Sequence, residues 1–274
     1  MRVATSPHPR RARGLAAAAS LVLGLTLPCT ALAAHPLVTD DTATQGSGRV
    51  QLELTGLAAR ARETHGGPTA VEESSEGALV ATLGLHDAVD VAVMLPLAAT
   101  RVAVGGVRQG ATAGLGDLGL ELKWRVAEAG GFSLAVKPGL TLPTGDPARG
   151  LGTGRPCAAL LVAATRQAGS LSVHLNAGYG LDSYALAEER LEHVRDVWQA
   201  SLAAQGDLRP GLTLVGDLGA TTGDERASRE LGVFGLGGLI FAVDPRVDLD
   251  VGVKVGWKGG DRTLALLAGL AARF

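Results

Sequence analysis

The sequence predicts an all-β protein: a closed, antiparallel, up-and-down transmembrane β-barrel of about twelve strands. Three observations predict it. An export signal opens the chain, apolar side chains recur with a period of two from residue 49 to the C-terminus, and short connections alternate with long ones.

The export signal is expected over residues 1–33. Arg10, Arg11 and Arg13 form its positive region, Leu15 to Leu27 its apolar stretch, and Ala31-Leu32-Ala33 a small-x-small cleavage site. The apolar stretch is too short for a membrane helix. Pro28 and Thr26 ahead of Cys29 argue against a lipoprotein signal, and Arg10-Arg11 lacks the apolar residues that follow a twin-arginine pair. Cleavage removes four arginines from the 25 basic residues and none of the 27 acidic ones, so the mature net charge is about −6. That balance argues against nucleic acid as a partner. Cys157 is then alone, which excludes an intramolecular disulfide. Glycine, at 39 residues, is roughly twice as frequent as usual.

Residues 34–48 are expected to form a polar segment at the periplasmic end, either a leader or a plug that enters the lumen. The barrel is expected over 49–274. Its strands are read at 49–62, 77–86, 89–102, 115–126, 132–143, 157–167, 171–181, 195–207, 211–222, 230–243, 247–257 and 263–274. Leu118, Leu120, Leu122, Trp124 and Val126 share one face of the fourth strand, against Asp117, Gly119, Glu121, Lys123 and Arg125 on the other. Val247, Leu249, Val251, Val253, Val255 and Trp257 oppose Asp248, Asp250, Gly252, Lys254 and Gly256 in the same way. The connections at 86–88, 127–131, 167–170, 207–210 and 244–246 are short, and those at 63–76, 103–114, 144–156, 182–194 and 223–229 are longer. In an outer-membrane barrel the short turns are periplasmic. Aromatic residues fall near strand ends, as interface girdles do: Trp124, Phe132, Phe241 and Phe274 at the short-turn end, and Tyr179, Tyr184, Trp198, Phe234 and Trp257 at the other. Phe274 ends the chain on an apolar strand face, like the terminal aromatic through which outer-membrane barrels engage their assembly machinery. A secreted β-sandwich would also alternate, but with richly polar outer faces.

With apolar residues facing lipid, the lumen is expected to be lined by Glu53, Asp117, Glu121, Lys123, Arg125, Lys137, His174, Asn176, Gln199, Asp217, Asp248, Asp250, Lys254 and Arg273. Hairpin arithmetic places Glu121 opposite Lys137 and Asp248 opposite Arg273. Such pairs either balance charge in a narrow wet interior or set a pore's selectivity. No catalytic, cofactor or metal site is visible. Gly150-Leu151-Gly152-Thr153-Gly154 has no helix after it to hold a phosphate. Ser172, His174 and Asn176 are of the residue types that an outer-membrane hydrolase uses, but side chains two apart on a strand point in parallel rather than converging.

The mature start, His35-Pro36-Leu37-Val38-Thr39-Asp40-Asp41-Thr42 with Gln45-Gly46, resembles that of the family grouped under the meta-pathway of phenol degradation. Further blocks fit: Gly116-Asp117-Leu118, Leu122-Lys123-Trp124-Arg125, Lys137-Pro138-Gly139, Leu142-Pro143-Thr144-Gly145-Asp146, Gly150 to Gly154, and His174-Leu175-Asn176-Ala177-Gly178-Tyr179. The resemblance implies an outer-membrane barrel that transports small molecules, with hydrophobic aromatic compounds as cargo by association. The expected function is therefore a passive channel or uptake barrel. The alternatives are a structural barrel with a plugged lumen and, behind it, the hydrolase. The lipid bilayer is the expected environment.

Overall fold

The computed structural model describes residues 35–63, 69–227 and 229–274; the export signal lies outside the described residues. The strands are β1 (Val50–Glu63), β2 (Ala70–His86), β3 (Val89–Val104), β4 (Val107–Leu115), β5 (Leu118–Ala129), β6 (Phe132–Leu142), β7 (Cys157–Ala168), β8 (Leu171–Leu181), β9 (Asp196–Arg209), β10 (Leu212–Thr221), β11 (Gly232–Asp244), β12 (Val247–Lys258) and β13 (Asp261–Arg273). One short helix, α1 (Ala187–Glu192), interrupts the β8–β9 connection.

Consecutive strands pair antiparallel, and β1 pairs with β13 to close the sheet, with Leu54 opposite Leu270. Segments β4 and β5 are two parts of one strand. Both pair with β3, Leu97 facing Leu115 and Met94 facing Gly119, and one extra residue is accommodated between them. Pro96 lies at that break. It has no N–H to give, and its carbonyl accepts from the Gly116 N–H at 3.0 Å. The molecule is thus a closed twelve-stranded antiparallel barrel.

Closure removes every sheet edge, the condition for a β-structure to cross hydrocarbon. The outside then shows which solvent it meets. Leu54, Leu218 and Leu266 are 58 %, 63 % and 60 % exposed, while alternate neighbours such as Ala61, Ala135 and Val215 are buried inside. A continuous apolar belt of this kind faces lipid rather than water. A sandwich would have buried these leucines between two sheets, so the structure excludes it. Trp124, Phe132, Phe241 and Phe274 are exposed near the short-turn end, and Trp198 and Trp257 near the other. Two aromatics depart from the expected girdle. Phe234 turns inward beneath Lys254, and Tyr184 is buried in a loop.

At the short-turn end every turn is two residues long, and Gly130-Gly131 supplies the positive φ angles (58° and 76°) of one such hairpin. The opposite end differs from expectation. The connections read at 63–76 and 103–114 are largely strand: β2 begins at Ala70, and β3 and β4 meet in a tight turn at Gly105-Gly106. Charged stretches such as Glu72–Glu76 read as loop because they cannot sit in lipid. Above the membrane both faces of a strand can be wet, so charge no longer argues against extended structure.

Candidate functional site

The interior of the barrel is occupied by its own N-terminal segment. Residues 35–48 turn in at the short-turn end and run up into the lumen. Gly48 donates to the Gly84 carbonyl at 2.8 Å, and a Cβ at Gly84 would lie 1.9 Å from the Gly46 carbonyl oxygen, so only glycine permits this crossing. Asp87 accepts from the Ser47 N–H (3.1 Å), and Asp90 from that of Gln45 (2.9 Å).

Deeper in, polar groups on opposite walls grip the segment. Lys123 on β5 donates to one oxygen of Asp40 (3.0 Å), to Asp41 (3.3 Å) and to the Ala43 carbonyl (3.2 Å). Lys137 on β6 meets the other oxygen of Asp40 and lies 3.1 Å from Glu121. Burial opposes ionisation of Asp40, but the two ammoniums override it and hold its pKa below the usual carboxylate value. Asn176 on β8 clasps the Asp40 backbone, its amide oxygen accepting at 2.6 Å and its amide nitrogen donating at 2.8 Å. Asp217 on β10 accepts the N–H groups of Val38 (2.7 Å) and Thr39 (2.8 Å) and the Thr39 hydroxyl (2.6 Å). His35 pairs with Asp250 on β12. Leu37 joins an apolar cluster inside the barrel with Val215, Leu236, Ala265 and Leu267, flanked by Leu57, Phe234 and Ile240. The plug is therefore tied on both sides of the barrel by polar contacts and seated on an apolar wall.

Below the plug, a cavity of about 840 Å³ faces the short-turn end, lined by Arg49, Glu53, Arg246, Arg273 and Phe274 beneath Asp40, Lys123 and Lys137. Above it, three loops fold together. Asp117 accepts the N–H groups of Gly145 and Thr153, each at 2.8 Å, and draws the β6–β7 loop inward. The Thr153 carbonyl accepts from Ala185 of the β8–β9 loop at 2.8 Å. There Tyr184 stacks on His193, ring centroids 5.2 Å apart. His193 lies 3.2 Å from Glu189 and 3.2 Å from Asp224 of the β10–β11 loop, and these two carboxylates push its pKa up to about 10. Asp224 is held below its usual value despite burial, because His193 and Lys258 face it. Asp182 is different: it is 1 % exposed, and neither carboxylate oxygen has a hydrogen-bond partner among the described residues. Burial, then Cys157 and Asp224 nearby, raise its pKa to about 7.

The residues expected to line the lumen fall as follows. Asp117, Lys137, His174, Asn176, Asp250 and Lys254 are buried. Glu53, Glu121, Lys123, Lys137 and Arg273 border the cavity at the short-turn end. Arg125 sits low, paired with Glu128 (3.1 Å) and donating to the Asp87 carbonyl (2.9 Å). His174 contacts the Thr165 hydroxyl (2.9 Å), and Lys254 lies 4.7 Å above the Phe234 ring. The expected cross-strand pairs need correcting. The β5–β6 turn is Gly130-Gly131 rather than centred on Ala129, so Glu121 faces Gly139 and reaches Lys137 diagonally. The last turn is Gly259-Gly260, so Asp248 faces Ala271 and meets Arg273 diagonally at 2.6 Å. Sequence reasoning missed Asp90 as a lumen group and left Asp40 in a segment open to either a leader or a plug. The signal was present in the acidic pair Asp40-Asp41, placed just ahead of a barrel with buried lysines.

A family model described as "Putative MetA-pathway of phenol degradation" matches residues 39–274. The chain belongs to this family. Among solved structures, the COG4313 outer membrane channel from Pseudomonas putida F1 superposes with a TM-score of 0.66 at 18 % identity, covering 85 % of this chain and 98 % of that one. The translocator domain of autotransporter NalP from Neisseria meningitidis gives 0.55 at 11 % identity, over 85 % and 91 %. The β domain of the Bordetella autotransporter BrkA gives 0.55 at 14 %, over 83 % and 100 %. These likenesses show the fold, which channels and autotransporter domains share. No curated protein matches the chain.

Proposed function

We propose that this protein is an outer-membrane channel for small apolar molecules, phenolic compounds among them, held closed by its N-terminal segment. The observation that carries the reading is the plug itself. It is attached to the wall through side-chain and backbone hydrogen bonds and adds no strand to the sheet, so it can leave without breaking the barrel. The apolar wall behind it, formed by Leu57, Val215, Leu236 and Leu267 on the inner face, supports an apolar cargo. The lumen charges come in both signs, mostly paired with the plug or with each other, and they serve first to hold the closed state. Transport needs no cofactor or catalytic group in this reading. Phe274, 69 % exposed at the end of the final strand, is the element offered to the barrel assembly machinery.

The second reading, a structural barrel that never opens, is favoured by the interlocked loops above the plug. Planar bilayers separate the two. The channel reading expects the full chain to give brief openings whose frequency rises when plug contacts are removed. Silence at every voltage, with and without those contacts, would leave the structural barrel.

A further inference from the structure

In the register that runs from Glu121↔Gly139 to Trp124↔Val136, Lys123 falls opposite Lys137 across β5 and β6. Like charges directly opposed weaken a strand pair, and here Lys137 is only 3 % exposed. Asp40 makes the arrangement tolerable by giving one carboxylate oxygen to each ammonium. The pair forms the roof of the 840 Å³ cavity, which is of a size that holds a small organic molecule. Five cationic and five acidic residues line that cavity, and two of the acidic ones, Asp40 and Asp41, belong to the plug. Once the plug withdraws, the wall keeps its cations and loses two balancing charges.

We infer that Asp40 occupies, from within the same chain, a binding site for the carboxylate of a small organic acid. Such a ligand takes the place of Asp40 between Lys123 and Lys137 when the plug withdraws. The exchange replaces one carboxylate with another, so the ammoniums are never left facing each other uncompensated. Glu121 stays beside Lys137 throughout. The body of the acid would rest against Ala92 on the cavity wall. This rests on the reading of the plug as displaceable, and it assigns to this site an acid with an apolar body and an anionic head rather than a wholly apolar molecule.

The test is calorimetric titration of the detergent-solubilised full chain with benzoate and with benzamide, its uncharged counterpart, at fixed ionic strength. In the native chain Asp40 competes at high effective concentration, so Asp40→Asn should tighten benzoate binding about tenfold or more and leave benzamide unchanged. Adding Lys123→Gln to that variant should abolish the gain. Folding is checked by the gel mobility of the unheated barrel. If Asp40→Asn does not fold, Asp217→Ala, which frees the plug elsewhere, should show the same gain. Benzoate binding no tighter than in the native chain, or an equal gain for benzamide, overturns the inference. Binding is read without conduction, so a barrel that binds benzoate yet never conducts would sink the channel reading alone.

Discussion

Replacing Asp217 by alanine should release the plug while leaving the barrel intact. Asp217 is 2 % exposed and accepts three hydrogen bonds from residues 38 and 39, at 2.6–2.8 Å. Hydrogen bonds to a charged group are worth roughly 1.5–3 kcal/mol each, so the gross loss is about 4–9 kcal/mol. Removing the carboxylate also removes its own burial cost, and the net bias against the plugged state is then about 3 kcal/mol. That shifts a two-state ratio by roughly 150-fold. Asp217→Asn keeps an oxygen for two of the three donors and should cost about half as much. The assay is single-channel recording, with protease digestion of the N-terminal segment read in parallel. Open probability and cleavage rate should rise in the order native, Asn, Ala. If Asp217→Ala is as silent and as protected as the native chain, these contacts do not hold the plug, and the reasoning fails.

Further outcomes are specific. Gly84→Ala would drive a methyl into the Gly46 carbonyl, so it should loosen the neck of the plug without unfolding the strands; unchanged digestion of the segment would refute the close approach. Leu266→Arg places a charge on the lipid face and should lower unfolding stability in lipid vesicles by about 2–4 kcal/mol, whereas a soluble sandwich would tolerate it on an exposed face. The loop cap should weaken as pH rises. Asp182 has a folded pKa near 7 against 3.8 when free, so its burial costs nothing at acid pH, where both forms are protonated. The cost grows between about pH 4 and 7 and reaches about 4 kcal/mol above that window. The His193 contribution runs the same way at higher pH: it is complete below its free value of 6.5 and lost as pH climbs through about 10. Hydrogen exchange across residues 182–195 should therefore quicken from pH 5 to 8 beyond its intrinsic rate, and Asp182→Asn should remove the lower part of that dependence. Identical profiles for the two chains would exclude Asp182 as the cause.

The barrel is legible in the sequence because a period of two with one greasy face leaves few solutions once a disulfide and a helical span are absent. β8 falls on the expected residues, 171–181, since turn glycine and alternation mark both its ends. The tall β3–β4 hairpin is hidden because Gly105-Gly106 sits between Val102-Ala103-Val104 and Val107, where consecutive apolar residues break the alternation. The facing partner of Lys137 differs from expectation because a two-residue turn can be placed one step off, and each step moves a cross-strand partner by two. The plug is open to either reading in the sequence: residues 35–48 hold too few apolar side chains to announce burial, and their side-chain partners on the wall lie 40 to 215 residues away in the chain. Their acceptors, Asp90, Asp217 and Asp250, are single inward positions on separate strands, which only the closed barrel brings together.

Residues 35–48 are held to close a lumen otherwise able to conduct. Single-channel recording of a chain lacking residues 35–47 tests this most directly, with heat-modifiable gel mobility confirming the barrel. The predicted result is steady, ohmic conductance where the full chain opens only briefly. A folded barrel that stays silent without its plug would contradict it.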